Sequence, residues 1–132
     1  MINGAHFLLY SADADADRAF IRDVLDFRSV DVGGGWLIFG LPPAEMAVHP
    51  ADGTFTQRHG DQTMLGVVLY LMCDDVTAEV KGLEGKGVRC SKIEDAGWGI
   101  RTTIRLPSGG DIGLYQPKHA TALDLGYNPA ES

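Results

Sequence analysis

An internal repeat constrains this chain more than any other feature of its sequence. Each half carries an apolar strand, then a helix, then three short strands. A repeat of that length points to two copies of one supersecondary unit packed together. In the first half, "NGAHFLLY" (3–10) reads as a strand. "SADADADRAFIRDVLDF" (11–27) reads as a helix, with Ser11, Asp13 and Asp15 as cap candidates and Ala16, Phe20, Val24 and Phe27 along one apolar face. "FRSVDV", "GWLIFGL" and "AEMAVHP" follow as short strands, punctuated by Gly33-Gly34-Gly35 and Pro42-Pro43. In the second half, "MLGVVLYLMC" is a strand, and "DDVTAEVKGLEGKG" is a helix with Val76, Val80 and Leu83 on one face and glycines at its end. "VRCSKIED", "WGIRTTIRL" and "GDIGLYQP" are the last three strands.

The chain therefore reads as one α+β domain over residues 1–132, made of two βαβββ modules. Module one covers about 1–50 and module two about 64–117. The polar stretch "ADGTFTQRHGDQT" (51–63) has no periodicity and reads as a connecting or functional loop, and the tail 118–132 as irregular. A formal net charge of −7 without a basic stripe argues against nucleic acid and anionic membrane as partners. No apolar stretch reaches spanning length, and the first residues lack a basic region followed by an apolar run, so a cytoplasmic protein is expected. Cys73 and Cys90 have neither metal-ligand nor redox spacing and read as reduced thiols. The first strand of module two is expected beside the last strand, which keeps the two thiols too far apart for a disulfide.

Three stretches carry a likeness to a known group. "DRAFIRDVLDF", "CDDVTAEVKGLEGKGV" and "LPSGGDIGLYQP" occur in the order and spacing of the vicinal oxygen chelate superfamily, which includes glyoxalase I, extradiol dioxygenases and bleomycin-resistance proteins. The chain resembles that superfamily over almost its whole length. Asp26 stands where the family's first helix usually ends in glycine, and the terminal hairpin is a degraded form of the family pattern. The resemblance implies a half-barrel around a cavity, built within one chain or across a homodimer.

It also implies where a divalent metal would sit in glyoxalase-type relatives. The four positions fall on His6, near Glu45, on Val68 and on Gly113. Valine and glycine offer no side-chain donor to a metal, so no metal and no other cofactor is expected. Strand alternation then lines the implied cavity with His6, Leu8 and Tyr10, with Val68, Tyr70 and Met72, with Arg101, Thr103 and Arg105, and with Asp111, Gly113 and Tyr115. Phe7, Leu9, Val67, Leu69 and Leu71 are expected on the helix side. The ligand-binding candidates are His6, Tyr10, Val68, Tyr70, Arg101, Arg105, Gly113 and Tyr115.

Aromatic rings and guanidinium groups suit a planar or acidic small molecule, and Gly113 offers bare backbone for it to approach. Each candidate also has a plainer reading. Arg101 and Arg105 can pair with Glu94 or Asp95, Tyr70 and Tyr115 can be packing, and Trp36 and Trp98 suit a core or a dimer interface. His59 can cover the cavity or stand solvated in its loop. The leading expectation is a binding protein without a complete metal site. The alternative is a lyase, isomerase or dioxygenase using a shifted site at His6 with Glu45 or His49, or metal-free chemistry by His6. A third is a partner-binding or structural relative whose cavity has filled in.

Overall fold

The computed structural model of the chain describes residues 6–51 and 53–123. Module two keeps its element order, though the expected strand at 64–73 narrows to Tyr70–Met72 and that at 88–95 to Glu94–Asp95 with an isolated bridge at Cys90. Its core is a four-stranded sheet in the order β5-β8-β7-β6, made of β5 (Tyr70–Met72), β6 (Glu94–Asp95), β7 (Gly99–Arg105) and β8 (Asp111–Pro117). β5 runs parallel to β8, and β7 pairs antiparallel with both β8 and β6. The first strand of the module thus lies beside the last. Cys90 instead bridges to Ile104 on β7, and both cysteines are free.

Helix α2 (Val76–Gly85) is capped by Asp75, whose side chain accepts from the Ala78 amide. It ends at Gly87, which adopts φ 80. Val88 N–H donates to the Leu83 carbonyl and Gly87 N–H to that of Glu84, which together make a Schellman stop. The expected face of Val76, Val80 and Leu83 is buried. It packs with Val88, Ile104, Leu106, Ile112 and Leu114 into a single core.

Module one departs from its pattern. Helix α1 (Ala14–Asp23) forms, with Asp13 as its N-cap. Phe20, Val24 and Leu25 pack against the core of module two. β1 (Ser29–Asp31) and β2 (Leu37–Phe39) make a separate two-stranded antiparallel sheet. The expected strand at 3–10 does not appear in its described part, because residues 6–10 have no regular structure and residues 3–5 lie outside the described residues. The expected strand "AEMAVHP" is likewise irregular.

The expected loop, by contrast, holds a hairpin of β3 (Thr56–His59) and β4 (Gln62–Leu65). Gly60 opens its two-residue turn with φ 62, the conformation a tight hairpin asks of glycine. The apolar run that begins at Met64 is shared between β4 and β5, with Gly66 bonded back to Phe55 in between. The α+β class holds, with one four-stranded and two two-stranded sheets in place of two equal modules. These sheets close no barrel among the described residues.

Candidate functional site

The register of the four-stranded sheet brings the candidates of module two together. Gly113 on β8 lies opposite Tyr70 on β5 and Thr103 on β7. Arg101 lies opposite Tyr115, and Arg105 opposite Asp111. A β-carbon on Gly113 would overlap the Tyr70 ring and come within 2.7 Å of its Cγ. The bare backbone that the sequence offers to a ligand is therefore covered by the chain's own tyrosine. Gly99 does the same for Tyr115: a β-carbon there would lie 2.7 Å from Tyr115 Cδ2 and 2.9 Å from the Gln116 carbonyl oxygen.

The two tyrosines and Trp98 meet edge to face. Centroid separations are 5.5 Å for Tyr70–Tyr115, 5.7 Å for Tyr70–Trp98 and 5.0 Å for Trp98–Tyr115. Trp98, read as core or interface, belongs to this cluster and stays 41% exposed.

Polar groups fix the cluster. Arg101 Nη1 donates to the Tyr70 hydroxyl at 3.2 Å, and Nη2 reaches Glu94 at 3.4 Å. Its third donor, Nε, is buried without a partner. His119 Nδ1 lies 2.8 Å from the Ala120 carbonyl oxygen and so carries the hydrogen there. Nε2 is then free to accept from the Tyr115 hydroxyl at 3.1 Å. Burial pushes the Tyr115 phenol above its ordinary pKa, and the charge of Glu45 adds to the shift. Glu45 thus reaches this side of the molecule from an irregular segment, with its Oε1 buried and unpartnered.

Two hollows flank the cluster. One, of about 250 Å³, is lined by Leu9, Val67, Val68, Leu69, Tyr70, Thr103, Asp111, Ile112 and Gly113. The other, also about 250 Å³, is lined by Ser91, Lys92, Glu94, Arg101, Thr102 and Thr103. Among the nominated residues, Val68, Tyr70 and Gly113 line the apolar hollow and Arg101 the polar one.

The others sit apart from both hollows. His6 is exposed. Tyr10 is exposed and hydrogen-bonds His59 Nδ1 at the hairpin tip. Arg105 pairs with Asp111 at 2.6 Å rather than with Glu94 or Asp95, and Asp95 takes Lys118. Tyr115 is buried in the cluster. His49 is exposed, its Nδ1 2.6 Å from the Pro50 carbonyl oxygen. Leu9 and Val67, expected on the helix side, are exposed at the rim of the apolar hollow, and Phe7 is exposed too. Thr103, expected on the inward face but not nominated as a ligand residue, and Lys92, not considered from sequence, also line the hollows. The parity of "GIRTTIRL" reveals the first, and nothing local in the sequence marks the second.

A glyoxalase-type metal does not fit these residues. Val68 and Gly113 lack donors, and the Tyr70 ring occupies the space a longer side chain at 113 would need. Among the described residues no group of three or more His, Cys, Asp or Glu side chains comes together to hold a metal ion.

The architecture is the fold seen in solved glyoxalase/bleomycin-resistance proteins. The chain is similar to TnmS3, an antibiotic binding protein from Streptomyces sp. CB03234, with 22% identity over 89% of this chain and 99% of that one, and a TM-score of 0.60. It is similar to lactoylglutathione lyase from Agrobacterium tumefaciens, with 20% identity, coverage of 82% and 88%, and a TM-score of 0.55. It is also similar to a glyoxalase/bleomycin resistance protein from Streptomyces sp. CB03234, with 22% identity, coverage of 80% and 93%, and a TM-score of 0.51. No family model matches the chain, and no curated protein does. No helix among the described residues is long and apolar enough to cross a membrane.

Proposed function

We propose that this protein binds a small planar or acidic molecule and encloses it without a resident catalytic metal, working in the cytoplasm as a homodimer. The observation that carries the reading is the apolar hollow lined by Val67, Val68, Tyr70, Thr103 and Gly113. A concave apolar surface with a few polar groups is the ordinary make-up of a small-molecule site. Tyr70 offers a stacking face there, held in place by Trp98, Tyr115 and Arg101. That TnmS3, a protein of the same fold, is an antibiotic binding protein supports the class of function.

Trp98 provides the test, because it packs on Tyr70. Trp36 is first replaced by phenylalanine, leaving Trp98 as the sole tryptophan. A panel of planar aromatic acids is then titrated while the Trp98 emission is followed. Saturable quenching by a panel member, weakened at least tenfold by Val68→Glu, is the expected result, a loss of about 1.4 kcal/mol from placing a like charge at the apolar rim. Binding that ignores Val68→Glu removes the hollow from consideration. Elemental analysis of the same preparation separates the enzyme alternative: stoichiometric zinc, nickel, iron or manganese that resists mild chelation replaces the metal-free reading.

A further inference from the structure

The two hollows are not independent. Thr103 lines both, and the Tyr70–Arg101 hydrogen bond of 3.2 Å links the ring in the apolar hollow to the guanidinium in the polar one. Resting on the small-molecule reading above, we propose that they form one amphipathic trough, and that its ligand is a single-charged anion whose apolar body lies on Tyr70 and whose acidic group lies at Lys92 and Arg101.

The charges in the trough set the ligand's sign. Asp111 is the one Asp, Glu, Lys, Arg or His lining the apolar hollow, and Arg105 pairs with it at 2.6 Å. The polar hollow holds Lys92, Arg101 and Glu94. Glu94 offsets Arg101 at 3.4 Å, and Lys92 has no ion-pair partner among the described residues. One uncompensated positive charge remains, inside a chain of net charge −7. The Ser91 hydroxyl does not add to this set: its nearest partners are Thr102 Oγ1 and the Thr103 amide. The geometry thus separates apolar contact from charge recognition by the width of one strand residue, Thr103. Arg105, which alternation alone would enlist for the acid, is occupied by Asp111, and Lys92 takes its place.

Two probes with the same aromatic body test this: 8-anilinonaphthalene-1-sulfonate, an anion, and N-phenyl-1-naphthylamine, its uncharged counterpart. Both are titrated by fluorescence into the parent protein and into Lys92→Gln and Val68→Glu. Lys92 is exposed, so Lys92→Gln is expected to leave folding intact. The trough requires that Lys92→Gln weaken the sulfonate about fivefold, as an accessible ion pair does, and leave the neutral probe within about twofold of the parent. Val68→Glu weakens both probes. If Lys92→Gln changes neither probe, or both equally, while Val68→Glu weakens both, the trough is overturned and the small-molecule site stands. If the parent binds neither probe, or Val68→Glu changes neither, the small-molecule reading falls and takes the trough with it.

Discussion

Gly113 and Gly99 are spaces cut for tyrosines. Gly113 does not adopt a left-handed φ, so any cost of adding a side chain there is steric rather than torsional. The neighbour is the root of the Tyr70 ring, which Trp98, Tyr115 and Arg101 hold on three sides. Gly113→Ala is therefore expected to destabilise by about 1–3 kcal/mol, the usual cost of overpacking a fitted site. Urea denaturation measures it. In a Tyr70→Ala background the same change should cost far less, and that coupling identifies the ring as the cause. Equal costs in both backgrounds would leave the ring uninvolved. The sequence reveals that position 113 lacks bulk. It does not reveal that Tyr70 fills the gap, because that depends on the parallel pairing of residues 43 positions apart. Asp26 keeps the backbone conformation of the residue it replaces. It stands where the family pattern places glycine, and it adopts φ 60, the left-handed conformation that aspartate tolerates better than most side chains.

α1 is tied to module two by one buried carboxylate. Asp17 is 6% exposed. Its Oδ1 accepts from the Ser108 amide at 2.9 Å, and its Oδ2 from the hydroxyls of Ser108 and Ser11, each at 2.7 Å. Ser108 lies in the turn between β7 and β8, so this contact fixes the helix against the end of the main sheet. Burial alone would raise the Asp17 pKa, but the hydrogen bonds from Ser11 and Ser108 outweigh it and hold the carboxyl below its usual value. A carboxyl depressed on folding stabilises fully above its unfolded pKa of about 3.9 and loses that contribution as pH falls through the folded value. Asp17→Asn replaces one accepting oxygen with a donor and is expected to cost about 1–3 kcal/mol at pH 7. The gap between parent and variant should narrow in urea melts near pH 3 (about one unit below the unfolded value), and a gap that stays constant would deny the carboxylate its role.

Reading the sequence found α1 and its apolar face, yet chose Ser11, Asp13 and Asp15 as polar candidates, because a buried aspartate inside a helix looks like surface until its distant partner is known. Legibility differs between the modules for a related reason. In module two, the glycine stop, the helix face and the alternation at Leu69, Leu71, Ile104 and Ile112 agree with the packed core, whereas Val67 is exposed. In module one, the strand patterns at 6–10 and 44–50 find no partner strand among the described residues. The hairpin at 56–65 was hidden because its exposed strands carry polar residues on both faces, leaving only the Gly60-Asp61 turn as a signal.

Among the described residues, many exposed apolar side chains fall at 7–10, 41–48 and 64–68. Leu9, Val67 and Val68 rim one hollow, and Phe55 bonds to Gly66 beside them. Phe55, Leu65 and Val68 are 64%, 80% and 79% exposed. Scattered apolar residues are ordinary on a monomer, but a patch of this kind needs cover. The β3–β4 hairpin adds to the need, since every residue of β4 is exposed and a two-stranded ribbon is marginal by itself. A second copy of the chain, docking through Phe55, Leu65 and the hairpin, is the expected cover. Each chain carries −7, so two copies repel at long range and the attraction between them is apolar. Light scattering should therefore give twice the 14.2 kDa chain mass, and the dimer should tighten as salt screens the repulsion. Leu65→Lys combined with Phe55→Lys should shift the protein to monomer while its circular dichroism remains that of the folded chain. A monomer in the parent at every working concentration, at low and high salt alike, would remove the dimer and leave the patch to be covered by something other than a copy of this chain.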